Sequence, residues 1–189
     1  MNSSSQEKRG APRGVVRIIA GTHRGRRIRV PARPGVRPTP DRVRETLFNW
    51  LGQRLDGLAC LDLFAGSGAL GFEAASRGAA RVVMVEHDRA AFEELARSKA
   101  ALRAGQVELV HEDAFAYLRR TRERFDVVFL DPPFGQNALG AALAAAAERL
   151  APQGRVYVEA AAPLEPGAPW HELRRSRAGQ VSYQLMERR

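Results

Sequence analysis

Leu61-Asp62-Leu63-Phe64-Ala65-Gly66-Ser67-Gly68-Ala69-Leu70-Gly71 carries an apolar strand into a glycine-rich turn and on into a helix. Glycines at 66 and 68 let the backbone pass close to a ligand, and the helix that follows offers its amino end at the same place. Formally Gly66, Gly68 and Gly71 complete a G-x-G-x-x-G pattern, which is weak evidence for a dinucleotide when it stands alone. No Gly-Lys-Ser/Thr follows, so an NTP-binding P-loop is excluded. Asp62 separates the remaining options. Four residues before the first glycine, it puts negative charge at the strand tip, which disfavours a pyrophosphate and suits an ammonium group.

Outward from this turn, strands and helices alternate. Strands are expected over 59–64, 81–86, 106–110, 125–130 and 154–159, with helices between them. The clearest helix is 137–150, where Leu139, Leu143, Ala146, Ala147 and Leu150 share a face and Asn137 is the expected cap. Such alternation predicts a doubly wound, mostly parallel α/β sheet that binds ligands at the carboxyl ends of its strands. The segments 170–173 and 181–186, on either side of Ser176-Arg177-Ala178-Gly179, are expected to close it as an antiparallel pair. Upstream, two β-prone runs flank Gly21-Thr22-His23-Arg24-Gly25 and predict a hairpin. Thr39-Pro40 then starts a helix, with Thr39 as cap, Pro40 at the first position, and Val43, Leu47, Trp50 and Leu51 as its apolar stripe.

The strand ends carry acids. Besides Asp62, Glu86 closes the second strand, where a carboxylate can accept from both hydroxyls of a ribose. Asp113 follows the third and could accept from an adenine amino group. The fourth runs into Asp131-Pro132-Pro133-Phe134, whose prolines fix a rigid turn. There the Asp131 carboxylate and the Pro132 carbonyl form an acceptor pair beside an aromatic face, a cradle for a flat group bearing NH2. Singly, each acid is as readily a helix cap or a solvated residue. Four successive strand ends bearing one point to a ligand. S-adenosylmethionine has an ammonium and a sulfonium and no phosphate, which fits Asp62.

The chain has 189 residues, enough for one domain, with 30 basic and 21 acidic side chains. The excess sits at one end: residues 1–46 hold twelve basic against three acidic side chains, and the remainder balances at eighteen each. Localised charge of this kind points to a polyanion, and arginine, which supplies every basic side chain but Lys8 and Lys99, suits phosphates and base edges. Arg24, Arg26, Arg37 and Arg42 are the candidate RNA contacts. Residues 1–13 are expected to be a disordered tail, 14–37 a basic hairpin extension for RNA, and 38–189 the catalytic domain. Without an apolar leader or a membrane-length apolar run, a cytoplasmic protein is expected. Cys60 reads as a small core residue and Trp50 as a core anchor; His23, His87, His111 and His171 show no metal-ligand spacing, and no metal is expected.

At Arg17-Ile18-Ile19-Ala20-Gly21, at Arg37-Pro38-Thr39-Pro40-Asp41-Arg42-Val43-Arg44-Glu45-Thr46-Leu47-Phe48-Asn49-Trp50-Leu51, at the 62–71 turn and at Asp131-Pro132-Pro133-Phe134, the chain resembles the bacterial RsmD family. These are class I S-adenosylmethionine-dependent methyltransferases acting on the N2 amine of a guanine in 16S ribosomal RNA, that at position 966. The resemblance implies a Rossmann-like, seven-stranded, mostly parallel sheet with a reversed last strand, plus an N-terminal β-hairpin that helps hold RNA. It implies cofactor contacts at Asp62, Phe64, Gly66, Ser67, Gly68, Glu86, Asp113 and Ala114, and catalysis at Asp131, Pro132, Pro133 and Phe134. Phe134 stands where many relatives carry tyrosine, so stacking is kept and a hydroxyl contact is not. The implied acceptor is 16S ribosomal RNA in a 30S subunit or an assembly intermediate, with no membrane partner and a monomeric enzyme. Adenine N6 and a protein glutamine amide fit the acidic turn equally well, and a non-catalytic RNA-binding protein is the alternative of another class. A dinucleotide oxidoreductase is disfavoured by Asp62.

Overall fold

The computed structural model describes residues 14–30, 39–132, 136–165 and 167–189. An antiparallel pair comes first, β1 (Val15–Arg17) and β2 (Arg27–Arg29), then helix α1 (Asp41–Trp50). Alternation follows through β3 (Ala59–Asp62), α2 (Ala69–Ser76), β4 (Arg81–Glu86), α3 (Arg89–Leu102), β5 (Val107–His111), α4 (Ala114–Arg120), β6 (Phe125–Leu130), α5 (Gln136–Ala147) and β7 (Leu150–Ala160). The chain closes with β8 (Trp170–Ala178) and β9 (Val181–Arg188). Seven strands form one sheet in the order β5-β4-β3-β6-β7-β9-β8. β3 to β7 run parallel, and β9, last in the chain, runs against both its neighbours.

That order places the site. The chain winds from β3 out to β5, then returns to lay β6 on the other flank of β3. The strand order reverses between β3 and β6, and the loops leaving their carboxyl ends part there, opening a crevice for ligands.

Side chains alternate across the sheet, so each strand feeds two cores. Cys60, Val82, Met84, Val127, Phe129 and Tyr157 face the layer of α1, α2, α3 and the hairpin. Leu61, Val83, Val85, Val128, Leu130, Val156 and Val158 face α4 and α5. Strands buried on both sides read as continuous apolar runs, which is why β4 and β6 match their expected bounds. Cys60 is a core residue as expected, its thiol pushed up to about 12 by burial, then by Asp126 and Asp62. Trp50 stacks on Tyr183 at 5.3 Å, also as expected.

The hairpin is welded to this layer. Val16 and Ile28 point inward from paired positions, and Ile18 and Val30 join the same core as Val43, Leu47 and Phe48 of α1. Glu73 of α2, wholly buried, ties it down: Oε2 accepts from the Ile19 amide at 2.8 Å and Oε1 from the Ala20 amide at 3.1 Å. Two guanidinium groups balance the buried charge. Arg44, also wholly buried, donates to Glu73 at 3.3 Å, and Arg77 donates to the same carboxylate at 2.8 Å. Arg44 further donates to the Arg17 carbonyl at 2.9 Å and to Asp41 at 2.6 Å, binding hairpin, α1 and α2 together. The turn closes on the end of α2, where Thr22 donates to the Ser76 carbonyl at 2.8 Å. Gly21 is required there, because a Cβ would lie 1.8 Å from the Ser76 carbonyl oxygen at a φ of +81°.

Several expectations are corrected. Thr39 does not cap α1: Pro40 holds the cap position and has no side-chain acceptor to offer, while the Thr39 side chain acts on Glu159. Asn137 lies inside α5, which starts at Gln136, and the helix stops at Ala147 so that Leu150 opens β7. β8 continues through Ser176-Arg177-Ala178, read from sequence as turn, since an edge strand can carry polar side chains on exposed positions. β3 stops at Asp62, and Leu63 and Phe64 already belong to the turn.

Candidate functional site

The glycine turn assigns its three glycines different tasks. Gly68, at φ +78°, packs so tightly that a Cβ would come within 2.6 Å of Phe72 and 2.7 Å of Leu95. Gly71 lies against Met84, where a Cβ would meet the thioether at 2.8 Å, so it sets the approach of α2 to the sheet. Gly66, at φ +50°, would meet only the Phe64 carbonyl oxygen, at 3.8 Å. It alone of the three borders space a ligand could enter. Ser67 is buried beside it, its Oγ accepting from the Ala69 amide at 3.4 Å.

Around this space stand carboxylates. Asp62 is buried at the tip of β3 and accepts from the Gly71 amide at 2.9 Å, pinning the turn to the helix. Burial pushes its carboxyl up to about 7, with Glu86 and Glu159 adding repulsion and the Gly71 bond opposing them. Glu86, at the tip of β4, accepts from Gly66 at 2.9 Å and from Asp88 at 2.7 Å, so both its oxygens already order the backbone. Each carboxylate oxygen has two lone pairs, which leaves capacity for ligand hydroxyls. Asp113 is exposed and caps α4 through the Ala116 amide at 2.9 Å, with Ala114 buried behind it and Phe64 half-buried against the α4/α5 core. The capping reading and the ligand reading of Asp113 are compatible, since one amide occupies one lone pair.

The acceptor side lies along the same edge. β6 pairs with β7 so that Leu130 sits beside Val158, and one step on, Asp131 comes beside Glu159. Across β3, Asp62 pairs with Phe129. Alternation sets Asp62, Asp131 and Glu159 on the face of Cys60, Phe129 and Tyr157, at the ends of three adjacent strands. Asp131 opens to solvent at the mouth of this recess. Its carboxyl stands well above the usual range, through desolvation in the recess and then the charges of Glu159 and Asp62. Pro132 is half-buried beside it; Pro133 and Phe134 fall outside the described residues.

Glu159 is the residue sequence reasoning missed. It is buried and accepts from the Tyr157 hydroxyl at 2.9 Å, with the Thr39 side chain beside it. Burial raises its carboxyl, and those two side chains work against the rise. The signal was available, since Glu159 ends the fifth strand as Asp62, Glu86 and Asp131 end or follow theirs. Among the described residues no lysine, arginine or histidine pairs with Asp62, Asp131 or Glu159. Nor do three His, Cys, Asp or Glu side chains among them converge closely enough to hold a metal ion. An edge of acceptors with no cation among the described residues repels phosphate and suits a cationic, phosphate-free ligand and an NH-bearing partner. The residues present therefore fit S-adenosylmethionine.

On the hairpin, Arg27 and Arg29 are exposed beside inward Ile28, and Arg27 sits directly across from Arg17. Like charges opposite one another disfavour the pair, and a polyanion would relieve them. Arg24 is exposed in the turn and Arg42 in the first turn of α1. Arg26 donates to the Ala101 carbonyl at 2.7 Å, which anchors the hairpin to α3. Arg37 falls outside the described residues. His23 is half-buried, its amide donating to Ser76 Oγ at 2.9 Å, while His111 is exposed and stacks on Phe92 at 4.9 Å. No helix among the described residues is long and apolar enough to cross a membrane.

Comparison with known proteins places this arrangement among relatives. The family model described as Conserved hypothetical protein 95 matches residues 16–187. The ribosomal RNA small subunit methyltransferase D of Escherichia coli K12 is 43% identical over 182 residues, covering 93% of this chain and 91% of the relative. That of Haemophilus influenzae is 42% identical over 183 residues, covering 93% and 95%. A solved structure of a putative methyltransferase from Escherichia coli superposes with a TM-score of 0.82 at 44% identity, covering 93% of this chain and 98% of its own.

Proposed function

This chain belongs to the Conserved hypothetical protein 95 family, and we propose that it transfers a methyl group from S-adenosylmethionine to the N2 amine of a guanine in small-subunit ribosomal RNA. The observation that carries the reading is the row of Asp62, Asp131 and Glu159, with which no cation pairs among the described residues, beside the open space at Gly66. Names borne by the relatives supply ribosomal RNA as the acceptor class.

Asp62 and Glu86 would hold the cofactor's ammonium end and ribose, and Asp113 and Ala114 would flank its adenine. The cofactor supplies an electrophilic methyl on a sulfonium, which departs as a neutral thioether when the amine nitrogen attacks. An exocyclic amine is a poor nucleophile, because its lone pair is delocalised into the ring. Asp131 and the Pro132 carbonyl accept its two N–H bonds, which favours a pyramidal nitrogen with its lone pair directed at the methyl. The proton released after the C–N bond forms passes to Asp131, whose raised carboxyl suits it to receive one. Holding the two reactants in line supplies much of the rate. Phe134 stacks on the extruded base, a contact worth about 1–3 kcal/mol. Arg17, Arg24, Arg27, Arg29 and Arg42 track the backbone of the RNA.

A cytoplasmic monomer acting on a 30S particle or its assembly intermediate is the setting proposed. The test is methyl transfer to small-subunit particles from cells lacking this gene, with the product nucleoside identified by mass spectrometry. N2-methylguanosine supports the reading; N6-methyladenosine, or label in protein, overturns it.

A further inference from the structure

Resting on that reading of the acceptor, we propose that Glu159 selects guanine by accepting its N1–H while Asp131 holds the neighbouring N2 amine. Asp131 directly follows β6 and Glu159 lies in the neighbouring parallel strand β7, each one step beyond the Leu130–Val158 pair, and the charge of Glu159 acts on Asp131. Neighbouring strands lie about 4.8 Å apart, close enough for both carboxylates to reach one edge of a single base.

Glu159 is built as an acceptor. The Tyr157 hydroxyl donates to it at 2.9 Å and the Thr39 side chain lies beside it, and both oppose the rise that burial imposes on its carboxyl. Those two side chains leave lone pairs unused. No cation pairs with either carboxyl among the described residues, so both remain available as acceptors for the N–H groups of a base.

The nucleobase edges differ in whether they supply them. Guanine presents N1–H and N2–H2 in sequence, so each of two adjacent carboxylates meets a donor. Adenine and cytosine set an unprotonated ring nitrogen beside their amine. Its lone pair would face Glu159, leaving a buried acceptor opposed by another acceptor. Asp131 and Pro132 read only that an amine is present, whereas Glu159 reads which base bears it. A site built to bond a substrate N–H rejects the analogue without one strongly.

The experiment uses the full-length protein and small-subunit particles reconstituted from ligated ribosomal RNA. The target guanine is either kept or replaced by 2-aminopurine, which retains the amine at C2 but has no N1–H. Wild-type protein is expected to favour guanine over 2-aminopurine in kcat/KM by on the order of 10- to 100-fold. Glu159→Gln is expected to lower the guanine value by a similar factor and to leave 2-aminopurine unchanged, bringing the ratio near one. Cofactor affinity, measured by calorimetry, should stay as in wild type. The proposal is overturned if wild-type protein uses both bases equally, or if Glu159→Gln slows both equally, as a merely structural residue would. The wild-type comparison needs no variant, so equal use of the two bases overturns the proposal even where Glu159→Gln fails to fold. Absence of N2 methylation on the unsubstituted particle is a separate result, which removes the acceptor reading and this inference with it.

Discussion

Replacing Glu73 by glutamine tests whether the basic hairpin and the catalytic layer form one body. Glu73 is wholly buried and receives four donors: the Ile19 and Ala20 amides, Arg44 and Arg77. Glutamine keeps one acceptor oxygen but turns an NH2 toward a guanidinium, leaving buried Arg44 with only Asp41 to balance it. Removing one partner of a buried ion pair costs about 3–5 kcal/mol. The orphaned amides belong to the same network, so their cost overlaps this figure and is not added to it. For a chain of this length each kcal/mol lowers Tm by about 2–4 °C, so a fall of about 6–20 °C is expected by circular dichroism. Hydrogen exchange locates the loss, with the Ile19, Ala20 and Thr22 amides exchanging faster relative to those of β4 and β6. A Tm within 2 °C of wild type, or equal protection losses throughout the sheet, would refute the reasoning.

Two more outcomes follow from the site and the charged face. The Asp62 carboxyl is pushed up to about 7 in the folded chain, against about 4 when unfolded, so the folded state binds more protons between those values. Stability of the cofactor-free protein should therefore fall as pH rises from about 4 to about 7, and Asp62→Asn should flatten that slope in urea titrations while weakening cofactor binding above pH 7. Arg27→Ser with Arg29→Ser should lower the slope of log affinity for RNA against log salt by about 0.7–0.9 for each lost phosphate contact. An unchanged slope in filter binding would put the RNA elsewhere.

Much of the fold was legible because buried parallel strands leave a strong mark. Arg81–Glu86 and Phe125–Leu130 are apolar runs between turn residues, and their bounds could be read directly. The end of β8 carries no apolar pattern because its arginines, Arg174, Arg175 and Arg177, occupy exposed edge positions. The acids at the strand tips were legible as a series, but the engagement of Asp62 with Gly71 and of Glu86 with Gly66 was not. Those bonds depend on how the turn folds back, which spacing does not encode. Arg44 and Glu73 were hidden for another reason. A charge on an amphipathic helix is ordinarily assigned to solvent, and only the packing of the hairpin over α1 and α2 buries this pair. Thr39 shows the same limit: its sequence position fits a cap, yet Pro40 holds that place and the Thr39 side chain acts on Glu159, 120 residues away in the chain.

The claim on which the account turns is that Asp131 serves the accepting amine and not the cofactor. Asp131→Ala should be assayed for radiolabelled methyl transfer to small-subunit particles, alongside calorimetric binding of S-adenosylmethionine by the same protein. Transfer should disappear while cofactor affinity stays near that of wild type. Turnover at the wild-type rate, or a loss of cofactor binding that accounts for the loss of transfer, would contradict it.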